Sequence, residues 1–239
     1  MSQDQPERTW TPLTARQRRV LGVLVEKQKT TPEYYPLSVS ALVTGCNQKS
    51  NRDPITNYDA DDVEEILQQL RKMGAALMVE GSGRVVRWKH ALYDWLGLKG
   101  RAPEMAVMAE LMLRGPQTEG ELRQRASRMD AIPDLSSLQT MLNTLNELGL
   151  VLYLTPPGVR RGAVVSHNLY PPEELEKIKQ SQAQGAILER EEPRSTSNSS
   201  SSPTWAEEVS ALRAEVQELR TTVETLAAEL RNLRENLGA

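Results

Sequence analysis

The strongest constraint on this chain is an internal duplication. Residues 63–78 read VEEILQQLRKMGAALM and residues 138–153 read LQTMLNTLNELGLVLY, so that the apolar positions and one glycine coincide at an offset of 75. In each copy the apolar residues follow helical spacing up to Gly74 or Gly149, and a strand-like run follows. A helix that ends at glycine and leads into a β-hairpin is typical of the end of a winged helix. The duplication predicts a mainly α protein with small β-hairpin wings, built from tandem winged-helix (helix-turn-helix) domains.

The first winged-helix domain is expected over residues 13–98. Side chains that cap helix N-termini precede three predicted helices, namely Thr14 in a capping box with Gln17, then Ser38, then Asp59. The third of these helices should end before Gly74. Two strands are expected at about 75–80 and 84–91, with Gly81-Ser82-Gly83 as the hairpin turn.

The second winged-helix domain is expected over residues 101–170 and repeats this order. Pro103 suits the first turn of a helix, Thr118 and Glu121 form a capping box, and Asp134 or Ser136 caps the third helix. Strands are expected at about 150–155 and 162–168. Residues 171–204 are interpreted as a partly disordered linker that could hold a short helix over 172–191, because PRSTSNSSSSPT at 193–204 has almost no apolar side chain.

Residues 205–238 carry heptads with β-branched or leucine side chains at position a and mostly leucine at position d, which favours a parallel two-stranded coiled coil. Position g carries glutamate and position e carries arginine, so each Glu would face an Arg of a parallel partner. A trimer and a lone helix docked on the globular part remain alternatives. The predicted dimer interface consists of Trp205, Val209, Leu212, Val216, Leu219, Val223, Leu226, Leu230, Leu233 and Leu237.

Composition limits the classes of function. The net charge is −3, so DNA contacts would have to come from local basic patches. Cys46 is the single cysteine, which excludes an internal disulfide and a multi-cysteine metal site, and we expect it to be a buried small side chain. The polar start of the chain and the lack of a long apolar run predict a cytoplasmic protein without membrane association.

Several motifs resemble those of the bacterial YceH family. They are VEKQ at 25–28, TTPE at 30–33, YPLS at 35–38, CNQKSNRDP at 46–54 and LRGPQTEGELR at 113–123. The resemblance covers about residues 13–170 and leaves the linker and heptads outside. It implies a tandem winged-helix fold. It implies no activity, because the family is largely uncharacterised, and no catalytic residue carries over.

DNA binding with a regulatory role is the leading functional hypothesis, with double-stranded DNA as partner. The third helix of unit one is acidic and that of unit two has no basic residue, so contacts are expected from the wings, the second unit and the polar segment 47–54. For segment 47–54 a self-capped structural loop is the favoured reading, and contact with phosphate or bases is the alternative. The DNA-binding candidates are Lys49, Asn51, Arg52, Arg84, Arg87, Lys89, Arg123, Arg125, Arg128, Gln139, Asn143, Arg160 and Arg161.

The alternative is a protein-assembly module that binds an unidentified protein partner, because acidic tandem winged helices resemble those of the chromosome-segregation protein ScpB. We do not expect an enzyme, a metal site or a cofactor, since no phosphate loop, ligand spacing or nucleophile motif is present. His90 and His167 occupy matching places in the two hairpins. Duplication of a structural position explains this match better than catalysis does.

Overall fold

The structure is a computed structural model that describes residues 10–79, 85–155 and 162–191. All of these residues belong to one compact unit, which ends at Glu191. The heptad segment, and with it every residue of the predicted dimer interface, lies outside the described residues.

The described chain is mainly helical and repeats one order of elements. The first repeat comprises α1 (Ala15–Thr30), a 3₁₀ turn (Pro32–Tyr34), α2 (Val39–Cys46), α3 (Ala60–Lys72), β1 (Ala76–Val79) and β2 (Arg87–His90). After the short α4 (Leu92–Trp95), the second repeat comprises α5 (Ala102–Arg114), β3 (Gln117–Thr118), α6 (Glu119–Ala126), α7 (Leu135–Glu147), β4 (Val151–Tyr153) and β5 (Val164–His167). Helix α8 (Pro172–Glu191) follows.

Helices α1, α2, α3 and α7 begin at residues whose side chains cap them. Thr14 and Gln17 form the predicted capping box at α1, and Ser38 caps α2. Asp59 caps α3, and Asp134, rather than Ser136, caps α7. Each cap accepts a hydrogen bond from a backbone N–H that has no partner inside its helix, which fixes where the helix starts.

The third helices of the two repeats end in the same way. Gly74 and Gly149 adopt φ angles of 75° and 68°, a conformation that favours glycine. The next N–H then bonds back to the helix, from Ala75 to the Leu70 carbonyl at 2.9 Å and from Leu150 to the Leu145 carbonyl at 2.8 Å. These paired contacts, again 75 residues apart, confirm that the sequence duplication is a structural one.

The hairpins form two small antiparallel sheets. In the first repeat β1 pairs with β2, and a single bridge joins Leu37 to Trp88 on the other side of β2. In the second repeat the strand order is β3-β5-β4. Strand β3 and helix α4 were not predicted, because two residues and four residues are too few for periodicity to register. The turns of both hairpins lie outside the described residues.

The hydrophobic core is continuous across both repeats. Helices α1 and α5, the first helices of the two repeats, pack against each other near Gly22, where an added Cβ would lie 2.8 Å from Leu113 Cγ. The absence of a side chain there permits the close approach of the two helices. Val20, Leu21 and Leu24 of α1 are fully buried in this core.

Candidate functional site

The polar segment after α2 packs inside the molecule through Arg52, which is 4% exposed. Its guanidinium faces the Glu26 carboxylate with both terminal nitrogens, and Nη1 lies 3.2 Å from Oε1. The remaining donors reach the Gly45 carbonyl at 3.0 Å, the Asn51 carbonyl at 2.9 Å and Gln48 Oε1 at 2.9 Å. Since an arginine has five N–H donors and all are used, Arg52 is a structural residue. The prediction that it contacts DNA is corrected accordingly.

The same contacts extend into the second repeat. Arg128 Nη2 contacts Glu26 and lies 3.3 Å from Glu110 Oε2, and Asn51 Nδ2 donates to that same oxygen at 3.2 Å. Glu110 is fully buried, and its other oxygen makes no hydrogen bond with a described residue. We call Glu26, Asn51, Arg52, Glu110 and Arg128 the junction cluster. It joins α1 and the segment after α2 to α5 and the turn that follows α6.

Charge compensation explains how the junction cluster is tolerated in the interior. Burial raises the pKa of Glu26, but hydrogen bonds and positive charge from Arg52, with a further contribution from Arg128, lower it more, so the net pKa lies below the usual value. A second ion pair crosses the repeats nearby, from Lys29 to Asp130 at 2.8 Å. The cluster holds the repeats together. Asn51, Arg52 and Arg128 are therefore engaged in internal contacts, whereas Lys49 is exposed.

Cys46 lies beside this cluster at the end of α2 and is fully buried, as expected. Burial raises the pKa of its thiol to about 12. Because the thiolate is the reactive form, this cysteine is unreactive where it lies.

Two predicted basic residues of the first hairpin are exposed. Arg87 and Lys89 stand two positions apart on β2 and therefore share its outward face. Arg87 donates to the Pro36 carbonyl at 2.9 Å, and Lys89 has no ion pair with a described residue. Arg84, Arg160 and Arg161 lie outside the described residues.

Two predicted arginines of α6, Arg123 and Arg125, bond to residues of their own repeat. Arg123 donates to the Ile132 and Pro133 carbonyls at 3.4 Å and 3.2 Å. Arg125 donates to Gln117 Oε1 at 2.7 Å and to Glu121 Oε1 at 3.2 Å. These contacts hold the loop after α6 and the start of β3.

The third helices present few positive charges to solvent. On α3 the exposed side chains include Asp61, Glu64 and Glu65. On α7, Gln139 donates to Glu119 Oε2 at 3.1 Å, and Asn143 is exposed. The described residues of these two helices therefore form no continuous basic face.

Sequence reasoning missed the exposed apolar side chains of the hairpins. They are Leu77 (43% exposed), Val85 (60%), Val86 (42%) and Tyr153 (38%), and Leu148 (42%) is exposed at the end of α7, just before the second hairpin. Strand alternation gives a signal for Leu77, which stands between the inward Ala76 and the partly buried Met78. The run AALMV conceals that alternation because every one of its residues is apolar.

The two histidines occupy equivalent structural positions. The Leu92 N–H donates to His90 Nδ1 at 3.2 Å, and the Leu169 N–H donates to His167 Nδ1 at 3.2 Å. Burial, with a smaller effect from Lys29, lowers the pKa of His90 to about 4. Burial lowers the pKa of His167 well below its usual value. Both rings are thus neutral hydrogen-bond acceptors that fix the chain as it leaves each hairpin.

Within the described residues no group of three or more His, Cys, Asp or Glu side chains could hold a metal ion. No helix of that part of the chain combines the length and apolar character needed to cross a membrane.

Comparison with known proteins identifies one family. A family model described as "Protein of unknown function, DUF480" matches residues 13–157. A UPF0502 protein of Rhodopirellula baltica is 54% identical over 190 residues, which is 78% of each chain. A UPF0502 protein of Geotalea daltonii is 53% identical over 127 residues, or 53% of this chain and 57% of the relative. One of Pelobacter propionicus is 48% identical over 153 residues, or 63% and 69%.

The matched stretch falls within residues 13–170, where the motifs predicted a family. The matching descriptions carry the names DUF480 and UPF0502. The name YceH stays a prediction.

Proposed function

This chain belongs to the DUF480 family of proteins of unknown function, and we propose that it is a non-enzymatic protein-assembly module built from two winged helices. The order helix, short strand, helix, helix and hairpin in the second repeat supports the winged-helix reading. In the first repeat the Leu37–Trp88 bridge stands where β3 pairs with β5 in the second.

The observation that carries this proposal is the distribution of exposed apolar side chains. Leu77, Val85 and Val86 lie in the first hairpin, and Leu148 and Tyr153 lie at the second. Tyr34, Ile55 and Leu135 are exposed elsewhere, but Leu77, Val85 and Val86 fall within ten residues of one hairpin. A local group of apolar side chains at the surface is typical of protein contacts. Most of the described arginines predicted to bind DNA are instead engaged in bonds within the chain.

DNA binding is the second candidate. Arg87 and Lys89 on the outward face of β2 favour it, because a wing can lie along the phosphate backbone while basic side chains hold phosphate. Asn143 on α7 could read a base edge. This candidate requires a steep dependence of binding on salt concentration.

The heptads at 205–238 supply the second part of the proposal. A parallel coiled coil would present two copies of each hairpin to a partner and raise the effective concentration of the second contact. The proposed assembly module is therefore a homodimer with duplicated binding surfaces.

Fluorescence anisotropy of labelled duplex DNA across a salt series, with the full chain, tests the choice between the candidates. The assembly proposal predicts no binding at low salt. Salt-dependent binding that is weakened by the double substitution Arg87→Gln and Lys89→Gln would overturn it in favour of DNA binding.

Affinity capture from an extract of the native cells, quantified by mass spectrometry, tests the assembly proposal directly. The full chain should retain defined proteins, and the double variant Val86→Ser and Leu148→Ser should lose them. The matched control is Tyr34→Ser, which removes a 68% exposed ring outside the hairpins and should change nothing. Retention of no protein above background contradicts the proposal.

A further inference from the structure

The first hairpin exposes one face of its two strands. Strands β1 and β2 turn Ala76, Trp88 and His90 towards the core, where all three are buried. Because successive side chains of a strand point to opposite faces, the residues that alternate with these form the outer face. Of the four, three are exposed and Val79 is half-buried. We call these four residues the hairpin face: Leu77 and Val79 on β1, and opposite them Lys89 and Arg87 on β2.

The equivalent face of the second hairpin is covered. The helix-end glycines and the paired histidines align the two hairpins, so that the outer positions of the second are Leu152, Leu154, Val164 and Ser166. None of these four is exposed, and Ser166 is fully buried. The hydroxyl groups of Ser166 and Tyr170 form a hydrogen bond of 2.8 Å, so the chain that leaves β5 contacts this face.

A change of residue type explains why only the first face is open. Arg87 and Lys89 stand where the second hairpin has Val164 and Ser166. A buried charge is costly unless it is paired with an opposite charge. The hairpin face can therefore be covered only by a surface that brings carboxylates to these two side chains.

The charges of the hairpin face have no internal partner. Neither Arg87 nor Lys89 forms an ion pair with a described residue. The two strands include no carboxylate, and Glu80 lies outside the described residues. Leu77 is directly opposite Lys89 and diagonal to Arg87, which places the three Cβ atoms within about 8 Å of one another. An apolar side chain thus lies between two positive ones.

The dimensions of the hairpin face suit an α-helix. Two strands about 4.8 Å apart, with their side chains, form a surface about as wide as one helix, which is about 10 Å across. A strand added at the edge of β1 is excluded, because Ala76 is fully buried. Packing a helix on the open face of a sheet is a common way of burying that face.

We infer that the hairpin face binds an amphipathic α-helix of a partner protein, with acidic residues beside its apolar stripe. The apolar stripe packs on Leu77 and Val79, and the carboxylates pair with Arg87 and Lys89. This inference rests on the proposed function as an assembly module, and it names the surface and the class of partner.

The test uses the full chain and a labelled synthetic helix of about 20 residues, with leucine along one face, glutamate on both sides of it and alanine elsewhere. Fluorescence anisotropy should show saturable binding of this acidic peptide. The same peptide with lysine in place of glutamate should bind at least tenfold more weakly. Equal binding of both peptides, or binding of neither, would overturn the inference.

A reversal of charge locates the site. The double variant Arg87→Glu and Lys89→Glu should bind the acidic peptide at least tenfold more weakly and should gain binding of the lysine peptide, which also shows that it is folded. The matched control is Lys177→Glu with Lys179→Glu, which makes the same change of net charge on exposed residues of α8. Equal effects of the two double variants would mean attraction by net charge alone and would contradict the inference.

A variant of the apolar centre tests for a second copy of this chain as the occupant. Leu77→Ser changes an exposed side chain and should weaken binding of the acidic peptide at least tenfold. It should leave the mass of the free chain unchanged in light scattering. A lower mass would mean that a second copy covers the hairpin face, and the inference would be wrong.

The capture experiment distinguishes failure of this inference from failure of the proposed function. Loss of the captured proteins by Arg87→Glu with Lys89→Glu, together with the reversed peptide preference, supports the inference. If this variant retains them while Val86→Ser with Leu148→Ser loses them, the assembly function stands and the hairpin face is not the site. If the full chain captures no protein and binds DNA, both are wrong.

Discussion

The same residue types have opposite roles depending on burial. Arg52 and Lys49 stand three positions apart in one polar segment, yet Arg52 is buried in the junction cluster and Lys49 is exposed. The sequence allowed both a nucleic-acid contact and a structural loop for this segment. The ion pair with Glu26, 26 residues earlier in the chain, makes Arg52 a structural residue. Local composition carries no information about so distant a partner.

We expect Arg52→Gln to lower the free energy of unfolding by about 3 kcal/mol, because it leaves the Glu26 carboxylate buried with only Arg128 to compensate it. Urea unfolding followed by tryptophan fluorescence measures this loss. Arg87→Gln, which removes an exposed guanidinium, should change the stability by less than about 0.5 kcal/mol.

The double variant Glu26→Gln with Arg52→Gln should be less destabilised than the sum of the two single variants, because the two side chains interact directly. Strict additivity would contradict the assignment of a coupled pair.

The lowered pKa of His90 predicts a loss of stability in acid. Its folded pKa of about 4 lies below the ordinary histidine pKa of 6.5, so the unfolded state binds a proton first as the pH falls. The stabilising effect is complete above pH 6.5 and is lost between pH 6.5 and 4, by about 3 kcal/mol. Urea unfolding at several pH values in this range measures it.

His90→Asn keeps an acceptor for the Leu92 N–H and removes the titrating group, so its stability should fall less over the same range. His167 remains in the variant and contributes in the same direction. An identical pH profile for parent and variant would contradict the role given to His90.

At the scale of elements, the sequence predicts most of the helices and strands well. Caps at Thr14, Ser38 and Asp59 and the glycines at helix ends are local signals, since each acts through a neighbouring backbone group. The pairing of β2 with Leu37 is harder to predict because the Leu37–Trp88 bridge joins residues 51 positions apart. Helix α8 (Pro172–Glu191) occupies the range 172–191 in which the sequence allowed a helix.

The packing of α1 on α5 predicts opposite effects for two Gly→Ala substitutions. Alanine at Gly22 would place Cβ 2.8 Å and 2.9 Å from two Leu113 carbons in the core, and we expect a net destabilisation of about 1–3 kcal/mol. Gly120 is an exposed residue of α6 with no atom near the added Cβ, so alanine there should stabilise by up to about 1 kcal/mol. Thermal unfolding of both variants checks the sign of each effect.

At the scale of the whole molecule, both repeats contribute to one core, although the duplication by itself suggests two separable domains. The two repeats are not separate domains, because they contact each other at the junction cluster and where α1 packs on α5. Neither contact appears in either repeat alone, because each joins a residue of one copy to a residue of the other. A repeat pattern predicts the parts well and says little about how they are joined.

The heptads predict a dimer in solution. Replacing Leu219 and Leu226 by Asp places charges at two d positions and should yield a monomer, because the coiled-coil seam must remain apolar. Light scattering after size-exclusion chromatography measures the mass of the full chain. Thr221→Asp, at an outward position of the same heptads, should leave the dimer intact.

Residues at the start of the described unit contact residues at the start of α8 and just before it. The Leu13 N–H donates to the Leu169 carbonyl at 2.8 Å, and Arg18 of α1 lies 4.5 Å from the centre of the Tyr170 ring and pairs with Glu174. A ribosome adds about 5–20 residues per second. Roughly 10–30 s therefore pass between the synthesis of α1 and the synthesis of residues 169–174, which it contacts. Throughout that interval α1 has only part of its final packing surface available, and the unit closes on itself only when the start of α8 has been made.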